Sequence, residues 1–198
     1  MIQLSPEMLR IIEWAAMALG LINIALLIFR KVWNFAFGIA SVILAGLVLW
    51  ERKLYGESSL QLFFVFAQIW GWWLWLRIGG DDNGVPVRWL DWPSRWVWTV
   101  GTASVSLNLG WALHRFTDAA VPYADAGITG ASIAAQFLLA YRRIENWLIW
   151  IVVDIASVIL FIDRELYALA GLYGGMLVMC LFGLKEWIAA EQVTPAGR

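Results

Sequence analysis

Glu145-Asn146-Trp147-Leu148-Ile149-Trp150-Ile151-Val152-Val153-Asp154 opens a segment that meets no further charge until Asp163. Spacings of three and four residues set Trp147, Trp150 and Asp154 on one face of a helix. Isoleucine, leucine and valine flank that face, so Asp154 falls near the middle of a segment about as long as a bilayer is thick. A carboxylate at that depth costs roughly 2.5–3.5 kcal/mol on insertion scales, and ionisable residues kept there usually face a cavity, a partner or a substrate. Two indoles beside a carboxylate suit a flat organic cation, held by cation–π attraction and a counter-charge. The plainer role for Asp154 is a carboxyl buried between helices, protonated or bonded to a neighbour.

The rest of the chain fits a membrane setting. Of 198 residues, 62% are hydrophobic and 15% charged, against about 45–50% and 25% in soluble domains. Fifteen tryptophans point the same way, because indoles favour the membrane–water boundary. A net charge of −1 gives no reason to expect a nucleic-acid partner. Cys180, the one cysteine, excludes an intramolecular disulfide, and with His114 as the one histidine no zinc-ligand set assembles. No Walker loop, nucleophile elbow or HExxH pattern occurs, so neither an enzyme nor a resident cofactor is expected. The N-terminus lacks the basic start of a cleaved signal peptide and reads as a first span leading into Arg30-Lys31.

Hydropathy divides the chain into seven apolar segments: Leu9–Phe29, Trp33–Trp50, Ser59–Leu76, Val97–Leu113, Ala124–Ala140, Asn146–Ile162 and Tyr167–Ile188. Continuous apolar runs favour helices over a closed barrel. The longest connection, Arg77 to Trp96, contains Gly79-Gly80-Asp81-Asp82-Asn83-Gly84 and two prolines, and reads as a polar linker between halves. With seven spans, one side collects Arg30, Lys31, Arg77, Arg88, Arg95, Arg142, Arg143, Lys185 and Arg198. The other holds Arg10, Arg52, Lys53, Arg115 and Arg164. The bias of nine against five places the C-terminus in the cytoplasm and the N-terminus outside.

Sliding the chain by 112 residues lays Asn34 on Asn146, Arg52 on Arg164, Leu54-Tyr55 on Leu166-Tyr167, Gly71 on Gly183 and Trp75 on Trp187. Matched spans are four apart, so the two halves run in the same direction. The reading is an all-α integral membrane protein of seven helices in a 3+1+3 parallel repeat. A first three-helix half with its linker covers 1–95, an inverting helix 96–115, and a second half 116–198. Transporter folds use such repeats and bind substrate near the midplane. The Trp147/Trp150/Asp154 face has no counterpart at Phe35, Gly38 and Val42, so one half is specialised.

Further polar candidates line the spans. Gln61 and Gln68 share a face of the third segment, with Trp72 nearby; Gln136 lies in the fifth, and Asn23 is a weaker candidate in the first. Such amides bond sugar hydroxyls or a carboxamide, and equally often bond between membrane helices. Tyr173 either stacks on a ligand or packs. Asn34 and Asn146, matched across the repeat, join the candidate substrate-binding set. Gly71 and Gly183 are expected to let helices approach closely. Asp118 and Asp125 precede or open the fifth segment, where one draws cations or caps the helix.

The ordered set of motifs resembles the PnuC-type family of bacterial vitamin transporters, best known for nicotinamide riboside uptake. It comprises Leu54-Tyr55, Leu60-Gln61-Leu62-Phe63-Phe64, Gly71-Trp72-Trp73-Leu74-Trp75, Thr117-Asp118-Ala119 with Pro122-Tyr123 and Asp125, Ser132 with Ala135-Gln136, Glu145-Asn146-Trp147 with Trp150, and Gly183 with Trp187. The resemblance implies a fold like that of the SWEET sugar transporters, a homotrimer in the bacterial inner membrane, and facilitated diffusion with the vitamin trapped by a cytoplasmic kinase. Relatives carry thiamine or riboflavin. At Asp154 some nicotinamide riboside carriers look to have asparagine. An acid there suits nicotinamide riboside or thiamine, both cationic, over uncharged riboflavin. The expected function is nicotinamide riboside uniport by alternating access, with thiamine transport as the near alternative and a non-transporting membrane scaffold as the distant one.

Overall fold

The structure is a computed structural model that describes residues 5–53, 55–78, 85–117, 121–163, 165 and 167–193. Leu54, the glycine-rich run 79–84, Asp118, Arg164, Leu166 and Arg198, all used above, lie outside the described residues. Among the described residues the architecture is all-helical, with seven helices and no strand. These are α1 (Pro6–Ile28), α2 (Asn34–Glu51), α3 (Tyr55–Ile78), α4 (Trp92–Phe116), α5 (Pro122–Ala140), α6 (Glu145–Asp163) and α7 (Tyr167–Val193).

Five of them are long and apolar enough to cross a membrane: α1, α2 and α6 over their whole lengths, α3 over Ser58–Ile78 and α7 over Ala170–Gln192. At 1.5 Å per residue, even an 18-residue helix approaches the thickness of the hydrocarbon core. Hydropathy alone does not carry α4 and α5 into that set. Ser94, Arg95, Thr99, Thr102, Ser104, Ser106 and Asn108 dilute α4, and Asp125, Thr129, Ser132 and Gln136 dilute α5. α4 also begins five residues before the segment expected at Val97. Asp91 stands at its N-cap and Pro93 in its first turn, where a proline's missing N–H costs nothing. Hydropathy misses that start because Arg95 interrupts the apolar run.

Two compact units divide at Pro86 and Val87. In the first, α2 packs between α1 and α3; in the second, α4 through α7 each pack on the next in sequence. Local geometry recurs at positions 112 apart. α1 ends with Arg30 at φ 55° and α5 with Arg142 at φ 60°. Arg30 N donates to Leu27 O (2.9 Å) and Lys31 N to Leu26 O (3.0 Å). Arg142 N donates to Leu139 O and Arg143 N to Leu138 O, both at 2.8 Å. Both are Schellman ends, in which a left-handed residue satisfies the last helical carbonyls. Lys53 (φ 61°) and Glu165 (φ 58°) form the next matched pair.

Candidate substrate-binding site

Each unit begins its site helix with the same turn. Asn34 Nδ2 donates to Lys31 O at 2.7 Å, and Asn146 Nδ2 donates to Arg143 O at 2.6 Å. Both asparagines are buried. Their amide nitrogens therefore close the turns into α2 and α6, a role that spacing alone did not separate from ligand binding. Oδ1 of Asn146 and Nε1 of Trp147 are buried without a hydrogen-bond partner among the described residues, and buried polar atoms of this kind call for water or a ligand.

The next residue in each unit is an aromatic core anchor. Phe35 meets Trp75 edge-on, centroids 5.1 Å apart at 89°, and Trp147 meets Trp187 at 5.5 Å and 89°. Edge-to-face contact is the geometry that aromatic quadrupoles favour. The Trp147 indole lies against Gly183, filling the space a Cβ would take there, and only 1% of the residue is exposed. Helical spacing put Trp147 on the face of Trp150 and Asp154; packing encloses its ring. Trp150, one turn later, is half-buried.

Asp154 is 2% exposed. Its Oδ2 accepts a hydrogen bond from the Cys180 thiol of α7 at 3.3 Å, and Tyr173, two turns earlier on α7, lies within electrostatic reach. Among the described residues no arginine, lysine or histidine forms a salt bridge with it. The Tyr173 ring leans on Phe161, centroids 5.2 Å apart. Gln136 is buried on α5. The second unit thus offers a carboxylate, a phenol, a thiol and an indole from α6 and α7. Sequence reasoning used Cys180 only to exclude a disulfide. Its seven-residue spacing from Tyr173 was the available signal, since two turns of helix return to one face.

The first unit presents amides instead. Gln68 of α3 and Asn23 of α1 converge on Gly38, whose missing side chain leaves the room they occupy. Asn23 Nδ2 donates to Asn34 O at 2.7 Å. Gln61 packs across Gly46, and Trp72 leans on Trp33 at 6.4 Å. Shifted by 112, Gln61 falls on Tyr173 and Gln68 on Cys180.

These features have relatives. The family model described as nicotinamide mononucleotide transporter matches residues 10–189. The chain belongs to that family. It is 28% identical to the nicotinamide riboside transporter PnuC of Escherichia coli (strain K12), over 89% of this chain and 84% of that one. It is 30% identical to the riboflavin/roseoflavin transporter RibM of Streptomyces davaonensis, over 89% of this chain and 85% of that one. Among solved structures, the crystal structure of the vitamin B3 transporter PnuC aligns with a TM-score of 0.77 and 25% identity, covering 91% of this chain and 82% of the other. The PnuC-type resemblance read from the motifs is the family found.

Proposed function

We propose that this member of the nicotinamide mononucleotide transporter family carries nicotinamide riboside through a bacterial inner membrane by facilitated diffusion. One observation carries the choice of a cationic vitamin: Asp154 is a buried carboxylate with a thiol partner and no salt bridge among the described residues. A bound pyridinium would supply the missing charge. Trp150 and Tyr173 offer it aromatic faces, while Trp147, closed in by Trp187 and Gly183, frames the site from the core. Gln136 would bond the carboxamide or ribose, and Gln61 and Gln68 would serve as polar steps along the path.

Transport would proceed by alternating access in a 3+1+3 parallel repeat: α1–α3, the inverting helix α4, then α5–α7. The matched turns at Arg30 and Arg142 and the matched aromatic pairs support the repeat. All seven helices would cross the membrane, with the N-terminus outside and the C-terminus in the cytoplasm, in a homotrimer. A C-terminal reporter active only outside the cell would reverse that orientation.

A second reading is riboflavin transport, favoured by the likeness to RibM; thiamine shares the positive charge of the leading candidate. Titration of the purified protein with nicotinamide riboside, thiamine and riboflavin separates them. Tightest binding of riboflavin would replace the leading reading. Failure of all three to enter proteoliposomes would favour a membrane scaffold.

A further inference from the structure

We propose that the second unit binds the phosphate headgroup of an anionic phospholipid through Arg88, Arg142 and Arg143, at the shared end of α4, α5 and α6. Arg88 N donates to Arg142 O and Ile144 N donates to Arg88 O, each at 3.1 Å. Arg88 and Arg143 thereby form an isolated parallel bridge. This short ladder brings together three guanidinium-bearing positions, the neighbours Arg142 and Arg143 on one chain segment and Arg88 on the other. Arg143 Nη1 donates to Trp89 O at 3.2 Å, which holds its guanidinium beside the 88–89 backbone.

Like charges gathered this way repel one another. Burial first, and then the Arg143 and Arg88 charges, pull Arg142 below the usual arginine range. The neighbouring acid, Glu145, already accepts from Leu90 N at 3.0 and 3.1 Å and from Arg95 Nε at 2.9 Å. Guanidinium forks match phosphate oxygens in geometry.

A comparison within the chain shows that this backbone contact does not require an arginine. At the matching turn of the first unit, Val85 N donates to Arg30 O at 3.3 Å, so a valine makes the backbone contact that Arg88 makes in the second. Arg88, whose side chain is exposed, is an addition.

The lipid, rather than a soluble phosphate, follows from what surrounds the cluster. Trp92 and Trp96 in the first turns of α4 are 66% and 57% exposed, and Tyr141 after α5 is exposed as well. Exposed aromatics at helix ends mark the headgroup level of a bilayer, where basic pockets between helices recognise anionic headgroups. The inference needs membrane insertion only and is independent of which vitamin is carried.

The test uses the full-length protein in neutral detergent, with native mass spectrometry to count retained lipid. Phosphatidylglycerol is expected to stay bound where phosphatidylcholine does not. Arg88→Gln, which keeps the backbone ladder, is expected to lower retention by about fivefold, the effect of roughly one basic residue near a membrane surface. Arg142→Gln acts in the same direction, and Lys31→Gln in the first unit leaves retention within about twofold. Equal retention of the two lipids, or parental retention by both Arg88→Gln and Arg142→Gln, would overturn the site. Displacement of phosphatidylglycerol by an equal concentration of glycerol phosphate would overturn the lipid as its occupant.

Discussion

The thiol of Cys180 donates to Oδ2 of Asp154 across 3.3 Å, tying α7 to the buried carboxylate of α6. A thiol is a weak donor. It would orient an ionised carboxylate without cancelling its charge, as the proposed role of counter-charge to a cation requires. In the matching positions of the first unit, Val42 replaces Asp154 and Gln68 replaces Cys180. The charge belongs to one unit only.

Trp147 and Trp150 separate when truncated. Trp147→Ala removes a ring enclosed by Trp187 and Gly183, and a loss of about 3–5 kcal/mol in stability is expected. Trp150→Ala leaves a monodisperse protein and weakens binding of the vitamin by roughly 1–2 kcal/mol, the range of a desolvated cation–π contact. Size-exclusion profiles after heating, read beside calorimetric titrations, distinguish the two. Equal thermal loss for both variants would contradict this division.

Gly183→Ala is expected to destabilise by about 1–3 kcal/mol, because a new methyl meets the enclosed Trp147 indole. Gly38→Ala meets the flexible Gln68 and Asn23 side chains. It costs less stability and acts mainly by moving the Gln68 amide. Thermal midpoints of the two variants give the order; a larger drop for Gly38→Ala would reverse it.

Glu145→Gln should loosen the 87–91 segment. The variant loses the ion pair to Arg95 and the carboxylate that receives Leu90 N. Removing a charged, buried acceptor costs on the order of 1–3 kcal/mol. Hydrogen exchange at Leu90 and its neighbours should rise in the variant, and unchanged protection would dismiss the role.

Uptake should need no imposed ion gradient. Asp154 is the one carboxylate placed at the middle of an apolar segment, with no cluster of ion ligands around it in the sequence. Proteoliposomes are expected to equilibrate the vitamin and stop. Accumulation driven by a sodium or proton gradient would show coupling instead.

Much of the fold was legible because periodicity and caps speak locally. Arg30-Lys31 and Arg142-Arg143 follow the ends of two segments in the sequence, whereas Pro6 and Pro122 open their helices before the starts expected at Leu9 and Ala124. The 112-residue offset was visible from Asn34/Asn146 and Trp75/Trp187. Less legible was how those residues are used. A buried asparagine closing its own turn and one reaching a ligand occupy the same position. Spacing reports the helix face that Trp147 shares with Trp150 and Asp154, whereas its packing against Trp187 depends on α7, more than thirty residues away. Cys180 was passed over because its seven-residue spacing from Tyr173 gains meaning only when a neighbouring helix brings Asp154 to it.

The central claim is that Asp154 serves as counter-charge to a cationic vitamin. The direct test is calorimetric titration of the parent protein and Asp154→Asn with nicotinamide riboside and with its uncharged dihydropyridine form, which has nearly the same shape. Loss of a charged partner is worth about 1.5–3 kcal/mol. Asp154→Asn is therefore expected to weaken the cation by roughly tenfold to a hundredfold and the neutral form by less than about threefold. Equal weakening of both ligands, or undiminished binding of the cation by a monodisperse Asp154→Asn protein, would contradict it.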